Sequence, residues 1–129
     1  MRKFTPEDQI PERFWVAMQK VQPDANLFLD YLFGIERLHF IELFQWYLEA
    51  KTELIDVLVT SLIHEGASED AVEDLADALV SQGKDVYLNI FYGKRELPER
   101  RSWASLKGIG HQFATVYFER FGQNIYDVI

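Results

Sequence analysis

Gly66-Ala-Ser-Glu-Asp-Ala-Val-Glu-Asp-Leu-Ala-Asp-Ala-Leu-Val-Ser-Gln-Gly83 decides the fold class of this 129-residue chain. It carries a start signal, a divided surface and a stop signal for one helix. Ser68 stands where a side-chain oxygen accepts from the free amides of a first turn, and Glu69 and Asp70 follow at the positive end of the helix dipole. Gly83 suits the left-handed residue that closes a helix. At 100° per residue, Val72, Leu75, Ala76 and Leu79 share one face, while Asp70, Glu73, Asp74 and Asp77 share the other.

Helical punctuation continues on both sides of this block. Pro11 suits the first turn of a helix carrying Phe14, Trp15, Met18 and Val21. Pro23-Asp24 ends it, and a short helix from Ala25 to Phe33 stops at Gly34. From Ile35 to Ala50 the apolar residues Leu38, Phe40, Ile41, Leu43, Phe44, Trp46, Tyr47 and Leu48 spread round most of the circumference. Thr52 is placed to cap a further helix, Glu53 to His64. After Gly83 a helix from Lys84 to about Tyr92 is expected, then a polar stretch from Gly93 to Ser102, then a last helix from Trp103 to Arg120 closed by Gly122. Gly108 and Gly110 make the first turns of that last helix irregular, since each costs ~1 kcal/mol against Ala. No period-two alternation is sustained anywhere. The expected fold is all-α, a single domain over 1–129 built as a bundle of about six helices.

Composition narrows the classes of function. With no cysteine, disulfide frameworks, thiolate metal sites and thiol nucleophiles are excluded. The formal net charge of −8 argues against nucleic acid and against anionic membrane surfaces, both of which are bound by neutralising phosphate with Lys and Arg. Apolar runs fall short of the ~20 residues of a membrane span, and Met1-Arg2-Lys3-Phe4 leads into no apolar signal region. A cytoplasmic protein is the expectation.

The pair Phe14-Trp15, the run Gly66-x-Ser68-acid-acid, and Ser81-Gln82-Gly83-Lys84 with Val86-Tyr87 together resemble a mainly bacterial domain-of-unknown-function family, numbered four-two-four-zero. The resemblance covers roughly residues 12–92, and residues 66–87 are its specific part. Val72, Leu75 and Ala78 depart from the aromatics that the family favours there. The resemblance implies a helical domain and carries no established activity.

Four groups of residues invite a functional reading. The first is the acidic face of Asp70, Glu73, Asp74 and Asp77, where like charges at i, i+4 cost ~0.2–0.5 kcal/mol per pair. It is either a solvated surface or a docking face for a basic protein partner. On that reading, reversing Glu73 and Asp77 to Lys leaves stability unchanged or raised. The second is the basic loop, Lys94, Arg95, Arg100 and Arg101 with Lys107, which either pairs with acidic helices of its own chain or binds an anionic ligand or a second copy. The third is a metal or catalytic alternative in which His64 and Glu65 meet Glu69 and Asp70 at a helix corner. No His pair at i, i+4 supports it, and no serine sits in a nucleophile elbow. Gly108-Ile109-Gly110 lacks the Lys-Ser/Thr of a phosphate loop. No metal or other cofactor is therefore expected, and a non-enzymatic binding protein is favoured over a small metal-dependent enzyme. The fourth is the aromatic stripe Phe40, Phe44, Trp46 and Tyr47, either core or a self-association patch. A helix apolar on all sides is hard to cover in so short a chain, so a homodimer is expected.

Overall fold

The computed structural model describes residues 4–21, 24–105 and 108–129. Pro23 and Lys107, singled out above, lie outside the described residues. Seven α-helices are present among the described residues: α1 (Pro6–Gln9), α2 (Glu12–Met18), α3 (Ala25–Gly34), α4 (Arg37–His64), α5 (Glu69–Ser81), α6 (Lys84–Phe91) and α7 (Gly110–Phe121). Tighter 3-10 turns occupy Gln19–Val21, Arg100–Ser105 and Ile125–Asp127. No strand occurs among the described residues, and the fold is an all-α bundle.

The block from Gly66 to Gly83 folds as its punctuation demands. The Ser68 hydroxyl accepts from the Ala71 amide at 3.1 Å. Gly66, at φ +95°, turns the chain out of α4, with its own amide donating to the Ile63 carbonyl and the Ala67 amide reaching back to Leu62. This paired closure needs a left-handed residue, which only glycine adopts without strain. Val72, Leu75, Ala76 and Leu79 are buried.

Besides the unexpected α1 and the end of α2 at Met18 rather than Val21, two larger boundaries differ from the sequence reading. The segments expected as separate helices around Thr52 form one helix of 28 residues, α4. Ala50-Lys51-Thr52-Glu53 holds no Gly or Pro, and a cap residue alone does not stop a helix that packs well on both sides. The last helix starts at Gly110 rather than Trp103, because Gly108 and Ile109 are not helical and Asp77 supplies a start signal from another helix, described below.

α5 runs antiparallel to α4, as the pairings Lys51–Glu73 and Tyr47–Asp77 show. α7 lies antiparallel over the first half of α4 and against α3. Its Phe113 ring meets Phe28 at 5.6 Å, Phe40 at 6.0 Å, Phe44 at 5.1 Å and Tyr47 at 5.2 Å. α2 sets Trp15 against Tyr87 of α6 at 5.1 Å, and the buried Tyr87 hydroxyl donates to the Ala50 carbonyl of α4 at 2.7 Å. Phe40, Phe44 and Tyr47 are therefore core, and Trp46 is half-buried beneath the Arg13 guanidinium at 4.6 Å. Neighbouring helices of the same copy cover the aromatic half of α4. Leu38, on the same helix, stays exposed, so the helix expected to be apolar on all sides is covered on its aromatic side only.

Candidate functional site

Asp77 gathers the densest polar contacts between helices. It sits in Leu75-Ala76-Asp77-Ala78-Leu79-Val80, where every neighbour is buried. Its Oδ1 accepts from the Tyr47 hydroxyl, from the Ile109 amide at 3.3 Å and from the Gly110 amide at 3.2 Å. Ile109 provides no side-chain cap for α7, so a carboxylate of α5 does that work from another helix. A β-carbon at Gly108 would land on the Asp77 carboxyl group, and one at Gly110 would fall 2.5 Å from Tyr47 Oη. Both glycines are there to let the backbone come close. Burial first, then the Asp77 charge and hydrogen bond, push the Tyr47 phenol far above its ordinary range and keep it a neutral donor. Asp77 does not belong to the exposed acidic face, which corrects the expectation of a four-carboxylate surface. It likewise overturns the expectation that reversing Asp77 to Lys spares stability.

The rest of that face is as exposed as the pattern implied. Asp70, Glu73 and Asp74 are exposed, with Glu73 tied to Lys51 at 3.2 Å. In the basic loop, Arg100 donates to the carbonyls of Glu65 at 3.2 Å and Gly66 at 2.8 Å, neutralising the negative end of α4. Arg101 pairs with Glu99 at 2.7 Å. Lys94 and Arg95 are exposed and hold no ion pair among the described residues. Among the described residues, the loop thus contacts the main chain of a helix end rather than acidic side chains of other helices. A cavity of about 300 Å³ lies under it, lined by Leu62, Glu65, Leu97, Arg100 and Trp103 among others.

His64 and Glu65 are exposed at the end of α4. Among the described residues, no three His, Cys, Asp or Glu side chains gather as metal ligands would. His64, Glu65, Glu69 and Asp70 are not brought together.

One surface was missed by sequence reasoning. α7 turns Phe113, Val116 and Tyr117 into the core, and Arg120 donates to the carbonyls of Leu32 at 2.7 Å and Ile35 at 2.6 Å, locking the helix onto the end of α3. Phe118 is left outside at 61% exposure, beside Tyr126 at 57%. With Ala114, Thr115, Glu119 and Asn124 they line an open groove of about 460 Å³. The Tyr126 ring is held edge-on against buried Phe44 at 5.3 Å, and Asn124 caps its turn by accepting from the Tyr126 amide at 3.0 Å. The signal was present: in a helix whose inward positions are 113, 116, 117 and 120–121, a phenylalanine at 118 is out of register.

Comparison with protein-family models, with curated proteins and with solved structures finds no match. Among the described residues, no helix is long and apolar enough to cross a membrane.

Proposed function

We propose that this chain is a non-enzymatic interaction domain of the cytoplasm, with the Phe118–Tyr126 groove as its contact surface. The observation that carries this is the pair of exposed aromatic rings bordering one apolar depression. A soluble surface seldom concentrates large apolar side chains at a concave site without a binding role. The binding reading is also favoured over an enzyme because Tyr47 and Asp77, the closest titratable pair in the core, are committed to capping α7. The metal-dependent alternative built on His64 and Glu65 gains no supporting observation. A second contact surface, the acidic face reduced to Asp70, Glu73 and Asp74, is favoured by the exposure of Asp70 and Asp74 without ion-pair partners among the described residues. Kinship with the domain-of-unknown-function family rests on Phe14-Trp15 and, for its specific part, on the Gly66–Tyr87 block.

Site-specific photo-crosslinking in living cells tests this reading. A crosslinking side chain at position 118 is expected to trap a discrete protein adduct, and the same group at exposed Asp56 is not. Adducts through position 74 and none through 118 would move the contact surface to the acidic face. No adduct through either would overturn the interaction reading.

A further inference from the structure

We draw no further inference here: the strongest candidate, the cavity of about 300 Å³ between the end of α4 and the Arg100–Ser105 turn, offers a ligand only the exposed carboxylates of Glu65 and Glu96 beside the Trp103 ring, and nothing in the structure shows what fills it.

Discussion

Replacing Asp77 with Ala should cost far more than its place on a predominantly acidic helix suggests. The substitution strips the acceptor from the Ile109 and Gly110 amides, about 1 kcal/mol for a lost cap. It also leaves the Tyr47 hydroxyl without its acceptor in the core, about 1–3 kcal/mol. Together the loss is about 3 kcal/mol, which for a chain of this length lowers the melting temperature by roughly 10 °C. Glu73→Ala, one turn earlier, breaks only an exposed ion pair and should cost about 0.5 kcal/mol. Urea denaturation followed by circular dichroism measures both. A two-by-two comparison with Gly108→Ala then isolates the mechanism. In the wild-type background a methyl group at 108 collides with a carboxylate pinned by three donors, so Gly108→Ala should be destabilising. In the Asp77→Ala background the three atoms nearest that methyl group are gone, and the same change should cost much less. If Gly108→Ala costs the same in both backgrounds, or if Asp77→Ala is no worse than Glu73→Ala, the cap described here is not what holds α7.

Other perturbations have definite signs. Burial, as the largest cause, raises the phenol pKa of Tyr47 and Tyr87 in the folded chain above the ordinary value near 10. Their stabilising contribution is therefore intact below pH 10 and is lost as pH rises; by linkage each forfeits about 1.4 kcal/mol by pH 11, visible as a falling urea midpoint that Tyr47→Phe and Tyr87→Phe flatten. Asp70→Lys with Asp74→Lys should change the urea midpoint by the equivalent of at most about 0.5 kcal/mol, because both side chains are exposed. Phe113→Ala empties the junction of four aromatic rings and should cost about 3–5 kcal/mol by the same assay. Arg100→Ala should loosen the Glu65–Gly66 corner, read as faster amide exchange at Gly66 and Ala67, at a cost of about 1 kcal/mol or less.

Local signals carried the helix type almost everywhere, because caps, glycines and 3.6-residue spacing act within one turn. Ser68, Gly66 and the face of Val72, Leu75, Ala76 and Leu79 behave as those rules require. What escaped depends on contacts between segments distant in sequence. Helical periodicity places Asp77 beside Asp70, Glu73 and Asp74, yet α7 arrives over that end of α5 and takes it inward. The run Leu75–Val80, with Asp77 as its lone polar residue, was the available hint. Thr52 failed as a boundary for the converse reason: packing against α5 and the aromatic helices outweighs a modest local preference. Phe118 is not picked out by aromatic content, which is densest on α4; only its place out of register on α7 marks the ring that shapes the groove.

The position of α7 late in the chain also bears on how the molecule is made. Arg37 and Tyr117, joined through Nε and the phenol oxygen, are 80 residues apart in sequence. At synthesis rates of roughly 5–20 residues per second, α4 waits on the order of 4–16 s for the helix that covers Phe40 and Phe44. Throughout that interval the nascent chain displays an uncovered aromatic flank. A ribosome-bound chain stalled before residue 110 should accordingly be a strong client for holdase chaperones, and the released full-length chain a weak one.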